Sequence, residues 1–356
     1  SYRGPFRWSP DSTKLVAHHG KRVTERKITI VQSSPPDQVQ PKLITLDYAK
    51  PGDEIEQPKP RLFSIANRRQ IPLDDALYPN PWSISELEWT EDSASFSFVY
   101  NQRGHQILRV IAVAADNGQA KTLIEEKSDT FIDYSQKFFM QRLAATDEIL
   151  WASERSGYNH LYLIDGKTGK AKNPVTWGEL NVRKVVEVDA EKRQLILRIV
   201  GTSESNPYYS QFVRIGFDGK GGTKLTEGDG DHVIEFSPDG KHILETWSRV
   251  DLPPVMELRD ASTGRRIAIL EQADDSQLVA TGRQRPERFV AKGRDGQTDI
   301  HGIIIRPAKF DPAKKYPILE EIYAGPHGNF VPTQYSAWGS RLALADLGFI
   351  LVRIDG

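Results

Sequence analysis

Tyr323 is the residue whose type and position in this sequence most suggest chemistry. It ends the apolar run Pro317–Tyr323, and the tight loop Gly325-Pro326-His327-Gly328 follows it. If the run is a strand of an α/β sheet, this loop lies at the carboxyl edge, where such sheets bind ligands. A hydroxyl placed there could donate a hydrogen bond to a developing oxyanion, which is worth about 2.7–4 kcal/mol in catalysis. The other interpretation is a packed tyrosine with a hydrogen-bonded hydroxyl, and the residues alone leave both open.

Other polar groups near Tyr323 have weaker claims to a role. His327 could donate a hydrogen bond from the loop, but an ordinary turn residue is the commoner role at such a position. Glu320 and Glu321 precede the tyrosine on the same strand. One of them could face a cavity, although a solvated strand end explains the pair better.

The residues around Tyr323 predict the opening of an α/β domain. Phe289–Ala291 and Ile300–Ile305 flank a turn and indicate a hairpin. After Tyr323, residues 335–347 have apolar side chains at helical spacing, and Phe349–Ile354 is another apolar strand. Strand, loop, helix and strand in this order form a parallel pair, and a parallel sheet must be covered on both faces. One helix cannot do that, so we expect an unfinished domain and a chain that is a fragment.

Hydrolases built on such a sheet carry their nucleophile in a Gly-x-Ser-x-Gly turn between a strand and a helix. The 356 residues contain no such motif, and no Ser, His and Asp can be assigned to a triad. We therefore expect the triad beyond Gly356 and expect that this polypeptide alone hydrolyses nothing.

Residues 1 to about 280 have the pattern of a repeat of short antiparallel strands. An aromatic residue followed by Ser/Thr, any residue, Asp and a small residue occurs in Trp8–Ser12, Trp89–Ser93 and Phe236–Gly240. A second turn, rich in Asp and Gly, recurs about every 40–50 residues, at Asp116–Gly118, Asp165–Gly169, Asp218–Lys220 and Asp260–Gly264. This period indicates the four-stranded blades of a β-propeller, about five or six of them, rather than an unrelated β-sandwich with similar turns.

We accordingly predict a mainly β protein with two parts. Residues 1–284 form a β-propeller whose N-terminal blades are missing, and residues 285–356 are the start of an α/β-hydrolase domain, truncated before the nucleophile. Lys50–Tyr78 contains four prolines and is predicted to be a long excursion from the blades rather than a core strand.

Three histidines in the propeller region have structural explanations. His160 is expected to be a hydrogen-bonding residue of a blade turn. His18 and His19 are expected at the surface, with side chains on opposite faces of a strand.

Composition excludes several function classes. With 47 Lys+Arg against 48 Asp+Glu, the formal net charge is -1, which does not favour a nucleic-acid partner. No apolar run approaches the ~20 residues that span a bilayer. Cysteine is absent, which excludes disulfides and thiolate metal sites. This fits the cytoplasm or a bacterial periplasm and does not decide between them.

Six short stretches carry a family resemblance. Near the end of the chain they are Lys314–Pro317, Tyr323–Gly328 and Val352–Gly356, and in the propeller region they are Phe6–Asp11, Tyr48–Gly52 and Ser153–Tyr162. Together, in matching order over essentially the full chain, they resemble the dipeptidyl peptidase IV-like subgroup of the prolyl oligopeptidase family of serine peptidases.

This resemblance implies a propeller that caps an α/β-hydrolase domain, with substrate held between them. It aligns Tyr323 with the tyrosine of the family's oxyanion hole. It places the glutamate pair that binds the substrate's α-amino group just before Phe6–Asp11, outside this chain. It places the Ser, Asp and His triad outside this chain as well. The implied activity is release of N-terminal Xaa-Pro or Xaa-Ala dipeptides, with no cofactor and no metal.

Two alternatives stay open. One is an acylaminoacyl peptidase or oligopeptidase of the same family, and the other is a non-catalytic propeller interaction module. The residues from Pro286 onward weigh against a free-standing propeller. Expected partners are peptide substrates and the remainder of the hydrolase domain, and a homodimer is also compatible with this interpretation.

Overall fold

The computed structural model describes residues 2–24, 26–325, 327–338 and 340–355. Their contacts divide the chain into two compact units. The first runs to Tyr134 and includes Lys167–Lys170, and the second contains Ser135–Gly166 and the residues from Ala171 onward.

The first unit contains two four-stranded antiparallel sheets and one hairpin. One sheet has the order β1-β2-β5-β6, the other the order β7-β8-β9-β10, and β3 pairs with β4 in the hairpin. The strands are β1 (Tyr2–Trp8), β2 (Lys14–His19), β3 (Lys27–Gln32), β4 (Lys42–Asp47), β5 (Lys59–Ser64), β6 (Arg69–Ile71), β7 (Pro81–Trp89), β8 (Ser95–Gln102), β9 (Ile107–Ala114) and β10 (Ala120–Lys127). Alternate side chains of the two sheets share one apolar core, which includes Val16, Leu62, Phe96 and Ile111.

The predicted excursion Lys50–Tyr78 is wrong in part, because β5 and β6 lie within it and complete the first sheet. The prolines of this segment predicted that it contains no core strand, yet Pro60 lies on β5 and pairs with His18. On its other side β5 is paired only from Leu62 to Ser64, so the missing N–H of Pro60 interrupts no hydrogen bond to β6. The segment that leaves the sheet is instead the β3–β4 hairpin between β2 and β5.

The aromatic-Ser/Thr-x-Asp repeat forms the same turn each time. In every copy the hydroxyl donates to the aspartate, over 2.6 Å in Ser9–Asp11, 2.7 Å in Thr90–Asp92 and 2.7 Å in Ser237–Asp239. The next residue then has a positive φ in all three copies. Hydrogen bonds from Ser9 and from the backbone of Thr13 lower the pKa of Asp11 to about 2. The local sequence therefore specifies this turn by itself, which is why it was predictable.

The second unit begins with three more four-stranded antiparallel sheets, whose strands follow one another in chain order. They are β11 (Met140–Leu143), β12 (Glu148–Ser153), β13 (His160–Asp165) and β14 (Ala171–Pro174); β15 (Asn181–Asp189), β16 (Gln194–Val200), β17 (Gln211–Gly216) and β18 (Thr223–Lys224); β19 (Asp231–Phe236), β20 (His242–Arg249), β21 (Leu252–Asp260) and β22 (Arg266–Gln272). One apolar cluster joins the first and second of these sheets through Leu150 and Leu197, and another joins the second and third through Leu225 and Ile243.

Five sheets of this kind occur in the described residues, which confirms the predicted fold class of an incomplete β-propeller. The lower end of the predicted number of blades is the observed one. In each blade the strands pair with their neighbours in the sequence. The first blade differs only in the hairpin inserted between β2 and β5.

A mixed sheet follows the last blade, as predicted. After a short helix α1 (Ser276–Ala280) come β23 (Glu287–Lys292), β24 (Asp299–Ile305), β25 (Ile318–Tyr323), α2 (Ser340–Asp346) and β26 (Ile350–Asp355). The sheet order is β23-β24-β26-β25, and only β25 and β26 are parallel. Leu342 and Ala345 of α2 pack with Ile303 and Leu351 of the sheet. The hairpin, the crossover helix and the parallel pair are therefore those that the sequence predicted.

Helix α2 is shorter than the predicted 335–347. Tyr335 lies before it, and its backbone N–H donates to Ser248 Oγ over 3.1 Å while its hydroxyl donates to Asp275 over 3.0 Å. Trp338, an apolar residue within the predicted helix, lies before α2 and is 84% exposed. These contacts, one with the last blade and one with the residue before α1, hold Tyr335 outside the helix.

No helix in the described part of the chain is long and apolar enough to cross a bilayer. The same residues contain no group of three or more His, Asp or Glu side chains arranged to hold a metal ion.

Candidate active site

Tyr323 lies where the sequence predicted it, at the end of β25. It pairs in register with Asp355 at the end of the parallel strand β26. Tyr323 is 63% exposed, so the residue lies at the surface of the sheet edge. Carboxyl ends of parallel strands meet at one edge, and this edge is therefore where a ligand would be expected.

A small polar cleft of about 220 Å³ opens beside Tyr323. The mixed sheet and its loop supply one side, and the blades of the second unit supply the other. The lining residues from the sheet side are Tyr323, Gly325, Gly328, Asn329 and Asp355, and those from the blades are Lys137, Asn181, Arg183 and Tyr208.

Asp355 holds the far end of the loop that follows Tyr323. The carboxylate is 9% exposed, and its Oδ1 accepts hydrogen bonds from the backbone N–H of Phe330 over 2.6 Å and of Val331 over 3.1 Å. Hydrogen bonds from backbone amides to a carboxylate are among the stronger ones in proteins, so this end of the loop is well fixed.

Tyr208 reaches the same carboxylate from the β16–β17 connection. Burial, together with the negative charge of Asp355, raises the pKa of Tyr208 to about 12. The phenol therefore stays protonated near neutral pH.

The glutamate pair on β25 divides between two environments. Glu321 forms an ion pair with Arg353 on β26, with 3.0 Å between Oε2 and Nε. The Arg353 guanidinium in turn lies 4.4 Å from the centre of the Phe330 ring, and that ring is 5.7 Å from the ring of Tyr323. Glu320 is exposed, as expected for a solvated strand end.

The backbone carbonyl of the loop histidine, His327, contacts the blade side of the cleft. The carbonyl of His327 accepts a hydrogen bond from Arg183 Nη1 over 2.8 Å. Pro326, which belongs to the same motif, lies outside the described residues.

The structure confirms the prediction for one histidine of the propeller region and shows that the prediction for another is wrong. His160 is buried, with Nδ1 3.0 Å from Thr176 Oγ1 and Nε2 3.1 Å from the Gly178 carbonyl, which confirms the predicted hydrogen-bonding role. His18 was expected at the surface and is 6% exposed, because the core-facing residues of β2 pack against the neighbouring sheet. Burial lowers its pKa.

Sequence reasoning missed the blade side of the cleft. Asp355 could have been found, because it ends the strand parallel to that of Tyr323. Arg183 and Tyr208 lie in an ordinary strand and an ordinary connection, more than a hundred positions before Tyr323. No local pattern marks such residues, since only the packing of the blade against the sheet brings them to the site.

Comparisons with known proteins agree on one family. The family model described as dipeptidyl peptidase IV (DPP IV) N-terminal region matches residues 3–254. A probable dipeptidyl-aminopeptidase B of Emericella nidulans is 27% identical over 316 residues, which cover 85% of this chain and 34% of that protein. The prolyl endopeptidase FAP of Bos taurus is 22% identical, over 98% of this chain and 48% of its own length.

Solved structures show the same fold. The crystal structure of Porphyromonas gingivalis dipeptidyl peptidase 4 matches with a TM-score of 0.75 and 21% identity, over 98% of this chain and 48% of that one. A putative dipeptidyl aminopeptidase IV from Bacteroides ovatus matches with a TM-score of 0.73, also at 21% identity. The chain thus spans about half, or less, of the length of the proteins it resembles.

Proposed function

The chain belongs to the family of the dipeptidyl peptidase IV N-terminal region, and from this membership we propose that the full-length protein is a serine exopeptidase that releases N-terminal dipeptides. The preferred dipeptides are Xaa-Pro or Xaa-Ala. In this proposal the propeller, residues 1–284, gates and lines the substrate cavity, and residues 285–356 begin the hydrolase domain that completes the enzyme.

The observation that carries the proposal is the position of Tyr323. An exposed tyrosine ends a parallel strand beside a polar cleft whose opposite wall comes from propeller blades. A peptide carbonyl bound in that cleft would place its oxygen next to a phenolic donor, which is the geometry an oxyanion needs.

The proposed mechanism divides the chemistry between this chain and the rest of the hydrolase domain. A serine attacks the peptide carbonyl while a histidine takes its proton and returns it to the leaving amine. Tyr323 donates its O–H to the tetrahedral oxyanion, and the triad residues come from outside this chain. The remainder of the hydrolase domain is thus the first partner of the mixed sheet, and a homodimer is a further expectation that the mass in solution would test.

The second candidate is an endopeptidase or acylaminoacyl peptidase of the same architecture. The relatives named prolyl endopeptidase favour it, because they match 98% of this chain. A non-catalytic interaction module is less well supported, since β23–β26 have no use in a propeller.

Product analysis separates the two enzymes. We expect full-length protein to remove an intact dipeptide from a peptide that begins Gly-Pro or Gly-Ala. The N-acetylated form of the same peptide should be cleaved at least about 100-fold more slowly, because loss of the charge-assisted contact to the amino group costs several kcal/mol. Mass spectrometry of both reactions measures this. Cleavage of the acetylated peptide alone, or at internal bonds, would reject the dipeptidyl assignment in favour of the second candidate.

A further inference from the structure

Arg183, on the first strand of a propeller blade, touches the loop that follows the proposed oxyanion tyrosine. Its Nη1 donates to the His327 carbonyl over 2.8 Å, and Gly328 lies next to the guanidinium. The contact joins residues 144 positions apart. A residue of the propeller is therefore attached directly to the edge of the hydrolase sheet.

The backbone of β15 is distorted at this position. Val182 pairs with Ile199, whereas Lys184 pairs with Arg198, so Arg183 is the extra residue of a β-bulge. Bulges change the direction of a side chain and are enriched beside active sites. Arg183 lines the cleft, and the next residue, Lys184, is exposed.

The loop held by Arg183 is also the support of the Tyr323 ring. A Cβ at Gly325 would lie 2.6 Å from Cε1 of Tyr323, so the ring covers the backbone of the loop. At the other end of the loop the Phe330 ring lies 5.7 Å from it. A shift of the loop therefore removes what fixes the tyrosine hydroxyl.

The two ends of the loop are fastened from different parts of the protein. Asp355, on the hydrolase sheet itself, holds Phe330 and Val331. Arg183, on the blade, holds His327. Loss of the arginine leaves the Asp355 attachment in place, so the variant should fold while the segment nearest Tyr323 loosens.

We infer that Arg183 is a positioning residue through which the propeller sets the place of the Tyr323 hydroxyl for catalysis. This inference rests on the proposed function. The blade would then not only enclose substrate but also maintain the oxyanion site. A single side chain, Arg183, would couple the blade to Tyr323.

The test compares Arg183→Met, Arg183→Lys and the control Lys184→Met in the full-length peptidase. With a Gly-Pro p-nitroanilide we expect Arg183→Met to lower kcat roughly 10- to 100-fold, as small misplacements of catalytic groups do, with KM changed less than about threefold. Arg183→Lys should recover part of the loss, because an ammonium can donate to the same carbonyl. Lys184→Met should match the wild type.

A second readout distinguishes positioning from mere stability. A dipeptide boronic acid forms a tetrahedral adduct that needs the oxyanion site, whereas the product Gly-Pro does not. In Arg183→Met the affinity for the boronic acid should fall by the same factor as kcat/KM, and the affinity for Gly-Pro should stay unchanged.

Several outcomes would overturn the inference. An unchanged kcat and boronic acid affinity, or a raised KM at unchanged kcat, would show that Arg183 does not act through Tyr323. If Arg183→Met fails to fold, Arg183→Lys decides by the same two readouts. Failure of the proposed function is separate, because it appears as a wild-type protein that does not release dipeptides.

Discussion

Tyr323 combines exposure with a fixed ring, which is the combination an oxyanion donor needs. Tyr323 is exposed at the end of β25, and its ring lies against Gly325 and beside the ring of Phe330. Preorganised donors are effective because they need no rearrangement when charge develops.

Tyr323→Phe in the full-length protein removes only the donor. We expect kcat/KM for a Gly-Pro substrate to fall about 10²–10³-fold, the range seen when one oxyanion donor is lost, with unfolding unchanged. Steady-state kinetics measures this. Tyr48→Phe, at another exposed tyrosine, is the control, and an equal effect of the two substitutions would remove Tyr323 from the mechanism.

Glu148 makes an electrostatic contribution to the blades of the second unit. It is 3% exposed, and its Oε2 accepts from Arg193 over 2.8 Å and from Thr146 over 2.7 Å, while Oε1 pairs with Lys172. Burial alone would raise the pKa of Glu148, but these hydrogen bonds outweigh it and hold the value at about 2, against an ordinary 4.5.

The depressed pKa predicts a pH dependence. A carboxyl with a lower pKa when folded stabilises the protein fully above about pH 5, and the contribution is lost as the pH falls toward 2. Glu148→Gln should lower the free energy of unfolding by about 1–3 kcal/mol at pH 7, and the difference from wild type should narrow toward pH 3. Urea titrations at both pH values measure this difference in the free energy of unfolding.

Glu287→Gln, which breaks an exposed pair with Arg306, is the control and should lower the free energy of unfolding by under about 1 kcal/mol. If the loss of unfolding free energy in Glu148→Gln were the same at both pH values, the low pKa of Glu148 would be contradicted.

At the scale of elements, the sequence was sufficient wherever a turn or strand is specified locally. The Ser/Thr-x-Asp turns, the hairpin β23–β24 and the parallel pair β25–β26 follow from their own residues. Predictions failed where tertiary contacts decide. One case is β5, where Pro60 lies outside the part of the strand that pairs with β6. The other lies before α2, where Tyr335 forms a hydrogen bond with a blade. The bulge at Arg183 belongs to the same class, because nothing in its neighbours marks it.

In the second unit, the Asp-and-Gly-rich turn at Asp260–Gly264 packs against the preceding blade. Gly264 has φ +73, and a Cβ there would lie 2.0 Å from the carbonyl oxygen of Lys224, on the outer strand of the preceding blade. Gly240, in the same blade, has a similar φ of +69 and open space around it. A side chain at Gly240 would therefore meet only conformational strain, whereas a side chain at Gly264 would meet the same strain and a steric clash.

Gly240→Ala should cost only the left-handed conformation, about 1–2 kcal/mol. Gly264→Ala should cost at least about 2 kcal/mol more, because the added methyl group must displace backbone. Chemical denaturation of the two variants under the same conditions measures the difference. Equal losses would show that the turn does not pack against the neighbouring blade as described.

At the scale of the whole molecule, the proposed function divides the chemistry between two parts. In that proposal the five blades of the described residues and the first strands of the mixed sheet supply Tyr323 and the cleft wall, and the nucleophile comes from the rest of the full-length protein. The family membership and the order of the elements support this division, while Arg183 would make the two parts depend on each other.

Labelling of the full-length protein with a fluorophosphonate tests this division most directly. The account predicts that one equivalent of reagent abolishes dipeptide release and that mass spectrometry locates it on a single serine C-terminal to Gly356, in a Gly-x-Ser-x-Gly sequence. A label on a serine within residues 1–356, or dipeptide release that persists in the labelled protein, would contradict it.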